Sequence, residues 1–297
     1  MSRQKSVQIT TDSGSQSDSD WYRLDIQGLR ALAVTLVVGW HFGFPLPGGF
    51  IGVDIFFVIS GFVIGRMIAR TYKKSGRFRV REFLLGRFYR LAPALLGVLG
   101  ALLLVTIFTS PVETWSSYSI ESLASQFWVS NIYYQIASGD YFEPDIGTFL
   151  LLNSWSLSVE EQFYVFGSVA IVAYLALSRR FPLMRVRASV SAFVGLAVVS
   201  SFGVMLLGDV SNPAIATDAF FNPLARAWEF LLGVLLVTTG VSNVRFPPLV
   251  SRIVALVSLG TIGGFALLAS PADWPSAVTL IPVLSTLLLL AFGRSLT

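Results

Sequence analysis

The 297-residue chain has no cysteine. That absence excludes a disulfide framework, a thiol nucleophile and a zinc site of the Cys type. Histidine is almost missing as well. A single imidazole, at position 41, and few carboxylates leave too few ligands for a resident transition metal, and none is expected. Charge is also scarce: Lys, Arg, Asp and Glu make up 13% of the residues, against roughly 25% in a typical soluble domain. Apolar residues reach 54% and the mean hydropathy is +0.70, which assigns the chain to a bilayer. The net charge of +4 is modest and gathers at one membrane face, so no nucleic-acid partner is expected. Residues 1–20 are rich in Ser, Asp and Gln with almost no large apolar side chains. They read as a disordered cytoplasmic tail without the apolar core of a cleavable signal. Residues 21–297 then form one membrane domain, anchored by its first apolar run.

Apolar segments long enough to cross about 30 Å of hydrocarbon recur through the chain. Eight are expected, at 27–44, 50–69, 91–110, 157–177, 189–208, 223–240, 252–269 and 276–292. Unpaired backbone groups are not tolerated in a bilayer core, so all are read as helices and the fold class as an all-α polytopic bundle. Basic residues fix the orientation. Arg70, Lys73, Lys74, Arg77, Arg79, Arg81, Arg87 and Arg90 lie between the second and third segments, and no Lys or Arg occurs from Leu91 to Ser178. The 111–153 link carries Glu113, Glu121, Asp140, Glu143 and Asp145 instead, and the loops at Asp209, Asp218 and Asp273 are acidic. Basic and acidic loops alternate as an even number of crossings requires, with the N-terminus cytoplasmic in the cell (inner) membrane. The polar stretch 122–138 reads as an interfacial or re-entrant helix.

Within the first apolar run, Arg30 precedes His41 by eleven residues. On a helix that spacing is three turns plus about 20°, so both side chains leave one face about 16 Å apart. Ionisable groups in a membrane segment need partners or water, which marks them as functional candidates. Pro45-Leu46-Pro47-Gly48-Gly49 supplies a tight reversal into the second span. Asp54 then falls at a depth similar to that of His41, where a carboxylate fixes an imidazole tautomer and stabilises its charged form.

Three further groups carry chemistry. Arg87 and Arg90 share a helix face at the cytoplasmic boundary, a spacing that suits bidentate phosphate binding and equally suits anionic lipid. Asn153-Ser-Trp-Ser-Leu-Ser158-Val-Glu160-Glu161-Gln162 opens the fourth span, with Ser158 as N-cap. Adjacent acids point about 100° apart, so one of Glu160 and Glu161 faces the bundle as an acid/base group or imidazole partner. Arg226 and Glu229 read as a structural ion pair at i,i+3. Gly48, Gly49, Gly52, Gly61 and Gly65 lack a phosphate-loop ending and read as close helix packing.

Taken together, Tyr22-Arg-Leu-Asp-Ile-Gln-Gly-Leu-Arg30, His41, GGFIGVDIFFVISGF at 48–62, RFYRLAP at 87–93, WSLSVEEQFY at 155–164 and NPLARAWEFLLG at 222–233 resemble the acyltransferase-3 family of membrane O-acyltransferases. The resemblance implies transfer of an acyl group, commonly acetyl from acetyl-CoA, to a hydroxyl of a glycan, glycolipid or lipid-linked sugar. Arg30 and His41 match the family's Arg-x10-His motif, Arg87 and Arg90 its Arg-x-x-Arg motif, and Glu160 the acid of its Val-Glu motif. The implied site has Arg30, Arg87 and Arg90 on acyl-CoA, with His41 as base oriented by Asp54 or Glu160. An acyl-histidine relay is the alternative. Family domains usually have about ten spans, and the last family motif is missing here, so the domain is expected to be C-terminally incomplete. Two rival classes use the same residues differently. A transporter or flippase makes them a substrate or proton pathway, and a scaffold makes them structural.

Overall fold

A computed structural model of the protein describes residues 23–137, 149–181, 187–209, 219–271 and 274–295. The expected tail at 1–20, and Asp140, Glu143, Asp145, Asp218 and Asp273, lie outside the described residues. Among the described residues the regular structure is helical: α1 Leu24–His41, α2 Gly52–Ser75, α3 Val80–Thr109, α4 Glu113–Gln126, α5 Ser130–Ala137, α6 Ser154–Arg180, α7 Arg187–Asp209, α8 Pro223–Thr239, α9 Pro248–Leu268 and α10 Leu280–Phe292. Each of the eight expected segments is a helix. The polar stretch becomes α4 and α5, broken at Trp128, whose φ of 57° no helix accommodates.

Six of these helices are long and apolar enough to cross a membrane. The segments holding α1 and α8 are not among them, and the reason is chemical. α1 contains Asp25, Arg30 and His41, and α8 is only 17 residues long and contains Arg226 and Glu229. Arg226, Trp228, Glu229 and Phe230 of α8 are all buried, so protein rather than lipid meets its polar groups. α3 is the opposite case. Only 11% of its most apolar window is buried, against 61% for the α2 segment, so α3 faces the surroundings along most of its length. It also starts eleven residues before the expected boundary at 91, which places Arg87 and Arg90 within the helix.

Local signals account for the element ends. Gly76 terminates α2 at φ 64° with its N–H on the Tyr72 carbonyl (2.8 Å), and Lys73 and Lys74 in that last turn oppose the helix dipole. Asn222 caps α8 by accepting from the Leu224 N–H (2.9 Å), with Pro223 at the first helical position. α1 begins against α10: buried Arg23 binds the Asp25 carboxylate and donates to the Leu290 carbonyl (2.9 Å). Its guanidinium also lies 5.3 Å from the Phe62 ring of α2.

The core sits where α1, α2, α6 and α8 converge, with α7 behind α8 and the α9–α10 pair at its side. α2 and α8 meet backbone to backbone. A Cβ added to Gly61 would overlap the Phe230 carbonyl, and one added to Gly233 would overlap the Val58 carbonyl. The glycines of this hairpin therefore serve close packing, as expected. Gly61→Ala is expected to lower the unfolding free energy by about 2 kcal/mol or more, because neither backbone can retreat. Gly97→Ala on α3, where nothing lies within 4 Å, is expected to be neutral. Thermal unfolding of both variants in detergent checks the pair.

Candidate active site

Where α1 ends and α2 begins, the reversal at 42–51 returns the chain against itself. Gly48 anchors it to α9 by donating to the Ala266 carbonyl (2.9 Å). Beneath the turn lies a small cavity of about 10 Å³, roughly the space of one water. His41 and Trp40 of α1, Asp54 of α2, Trp155 of α6, Arg226 of α8 and Trp274 line it, among others. His41 is exposed at its rim, while Asp54 and Arg226 are fully buried.

Among the described residues the imidazole has two hydrogen-bonding contacts. Nδ1 donates to the Val37 carbonyl (2.8 Å), and Nε2 lies 2.9 Å from Asn153 Oδ1. The Trp40 ring stands edge-on at 4.7 Å. The expected depth match with Asp54 holds, since both residues line one cavity, but the expected contact does not form. Asp54 binds Arg226 instead. α8, drawn onto α2 through the glycine contact, brings a guanidinium into the dry interior, and there it takes the nearest carboxylate. The Arg226–Glu229 ion pair read from spacing is also present, with Nη1 3.2 Å from Oε1. The result is a buried triad of two carboxylates and one guanidinium, with Phe57 and Phe220 rings 5.5 and 5.9 Å from the cation.

Arg30 lies on the same unbroken helix as His41, half-buried, and does not line the cavity. Arg87 and Arg90 do not converge. Arg87 turns to α6, donating to Glu161 Oε1 from Nε (3.0 Å) and Nη2 (2.8 Å), with Glu160 Oε1 at 3.5 Å. Its guanidinium packs 3.6 Å from the centre of the Tyr164 ring. Arg90 is exposed, with no ion pair among the described residues. Glu160 accepts from Ser60 (2.6 Å) and from the Tyr164 hydroxyl, and no hydrogen bond joins it to His41. Glu160 and Glu161 thus share one cation instead of dividing between bundle and headgroups. α6 starts at Ser154, four residues before the expected cap. Ser158 therefore lies inside the helix, buried against Ser130 Oγ (2.7 Å).

Two residues escape the sequence reading, Asn153 at the site and Glu121 outside the cavity. Asn153 was passed over because Ser158 was given the capping role, although Asn before a Ser-Trp-Ser start is itself a capping signal. Glu121 read as one surface acid among several. It is 1% exposed and accepts from the Tyr134 hydroxyl (3.0 Å) and the Leu151 N–H (2.8 Å). Burial pushes its carboxyl above the usual range against the pull of those donors, and burial beside that carboxylate raises Tyr134.

Comparison with known proteins gives a consistent result. The acyltransferase domain family model matches residues 23–296. Peptidoglycan O-acetyltransferase of Listeria monocytogenes is 32% identical over 78% of this chain and 36% of its own length. A Staphylococcus aureus protein named "Putative O-acetyltransferase" is 33% identical over 72% of this chain and 34% of its own length. A Komagataeibacter xylinus protein named "Putative membrane-bound transacylase" is 33% identical over 72% of this chain and 50% of its own length. The chain therefore spans between a third and a half of these curated relatives. No solved structure matches.

The triad makes a sharp stability test. Arg226→Met leaves two buried carboxylates without a cation, a loss expected to cost about 3–5 kcal/mol. Adding Asp54→Asn and Glu229→Gln is expected to restore most of it, read as recovery of the unfolding midpoint in detergent.

Proposed function

The chain belongs to the acyltransferase-3 family of membrane O-acyltransferases, and from that premise we propose that it moves an acetyl group from acetyl-CoA to a hydroxyl of a cell-surface glycan, glycolipid or lipid-linked sugar. It is a multi-pass membrane enzyme of helical architecture. The basic loops between α2 and α3 support a cytoplasmic N-terminus in the inner membrane, with donor arriving from the cytoplasm. The peptidoglycan named for one relative supports a glycan acceptor.

One observation carries the reading. The only imidazole of the chain is exposed at the rim of an aromatic-lined cavity and points one nitrogen away from its own helix. In the proposed reaction the acceptor hydroxyl binds beside His41 Nε2. That nitrogen takes the hydroxyl proton as oxygen attacks the thioester carbonyl. The C–O bond forms, the C–S bond breaks, and the proton passes from the imidazolium to the departing sulfur, leaving an O-acyl ester and free CoA. Asp54 and Arg226 shape the cavity floor rather than handling the proton. Arg87 and Arg90 meet the donor's phosphates and Arg30 steadies its acyl arm, with Glu160 and Glu161 holding Arg87 in place until the donor arrives. Nothing in the structure or the comparisons favours the transporter reading.

Two measurements test this. His41→Ala is expected to abolish incorporation of labelled acetyl from acetyl-CoA in membranes, with protein level unchanged; retained wild-type transfer would end the proposal. Arg87→Ala is expected to raise the KM for acetyl-CoA about ten- to hundredfold, the effect of losing a charged hydrogen bond of about 1.5–3 kcal/mol.

A further inference from the structure

Asn153 stands at the start of α6 with its side chain turned to another helix. It is the N-cap of the 27-residue α6, and Asn at an N-cap normally accepts from a first-turn N–H for about 1 kcal/mol. Here it makes no such bond. Its Oδ1 is turned across to α1, 2.9 Å from His41 Nε2. Asn153 is itself helical (φ −61°, ψ −12°). The Ser154 and Trp155 N–H groups are met by the Leu151 and Leu152 carbonyls (2.9 and 3.0 Å), so its amide is available to reach an imidazole 112 positions away.

The other ring nitrogen defines what that contact does. The Val37 carbonyl only accepts, so Nδ1 must carry hydrogen. Asn153 Oδ1 also only accepts, so the two contacts together are those of the imidazolium, with both ring nitrogens donating. In the neutral ring Nε2 is the basic nitrogen, and the Asn153 amide turns over to donate to it from Nδ2. When Nε2 is protonated, Asn153 Oδ1 accepts from it, and the imidazolium is held by two neutral oxygen acceptors. The charged groups around it are otherwise engaged. Asp54 of α2 is bound to Arg226 of α8, and Glu229 lies on the same guanidinium. Among the described residues no carboxylate touches the ring.

We infer that Asn153 is the positioning residue of His41: the Val37 carbonyl fixes the Nδ1–H tautomer, and Asn153 aims Nε2 and accepts its hydrogen while the ring is charged. A neutral partner suits a base that must give its proton up again. A carboxylate in its place would favour the charged form and hold the proton against the departing sulfur. The arrangement deepens the catalytic reading of His41 given above, but the tautomer itself does not depend on that reading.

The scarcity of histidine makes the test direct. Protein with ¹⁵N-labelled histidine, purified in detergent without a polyhistidine tag, contains one imidazole. Its nitrogen shifts across pH report the protonation of each ring atom, with no acceptor needed. The expected neutral ring carries hydrogen on Nδ1 and a bare Nε2. Asn153→Asp is expected to keep both nitrogens protonated at a pH where the unsubstituted protein is neutral. A neutral ring protonated on Nε2, or an Asn153→Asp variant that titrates like the parent, overturns the inference. Should that variant fail to accumulate, the tautomer of the parent decides alone. Full activity of His41→Ala would remove the catalytic role while leaving the tautomer result untouched, so the two failures are distinct.

Discussion

A guanidinium with almost no exposed surface holds the centre of this protein. Arg226 is 1% exposed, and a cation in that position persists only if it is paired. Its partner Asp54 is 172 residues away on α2, so the pair forms only when α2 and α8 lie backbone to backbone. Gly61 and Gly233 permit that approach. The cavity is a consequence: its floor is the ion pair, its walls are tryptophans from α1, α6 and the segment before α10, and its rim is His41. Shape, charge and access at the site therefore trace back to one buried bridge between two helices.

The architecture was legible because a bilayer simplifies the problem. Hydrocarbon tolerates few backbone conformations, so apolar length alone gave the eight long segments as helices. The errors fall where polar residues carry a helix past its apolar run. α3 starts at Val80 because Arg79 and Glu82 pair on its exposed first turn (2.7 Å), and hydropathy does not register that. Of the candidate site residues, His41 and Asp54 line the cavity, while Arg30, Arg87, Arg90 and Glu160 do not. Depth along the spans placed His41 and Asp54 together correctly. Which of them binds what depends on the approach of α8, a tertiary contact that spacing along one helix does not encode. Arg87 illustrates the same limit. Its neighbour by sequence is Arg90, while its partners by structure are two acids 73 and 74 residues further on.

Two ionic clusters of the described residues bear on the proposed function. The triad lies beneath the cavity, where two carboxylates share a single guanidinium. The second set, Arg87 with Glu160, Glu161, Tyr164 and Ser60, knits α2, α3 and α6 together away from His41. A third polar contact, Asn131 with Gln162 and the Phe221 carbonyl, ties α5 to α6 and to the segment leading into α8. α6 takes part in both the Arg87 set and the Asn131 contact, and its first residues also reach His41. It is the element through which the proposed donor side and the proposed acceptor side are mechanically joined.

That Arg87 is already satisfied has an outcome of its own. Under the proposed function, a phosphate arriving there would compete for the Nε and Nη2 hydrogens with carboxylates that are covalently part of the protein and never diffuse away. Occupancy then becomes a contest between tethered and free anions, and the loser remains close by. Displaced in that way, Glu160 and Glu161 would stand beside the newcomer as two negative charges, a built-in repulsion that would speed its departure.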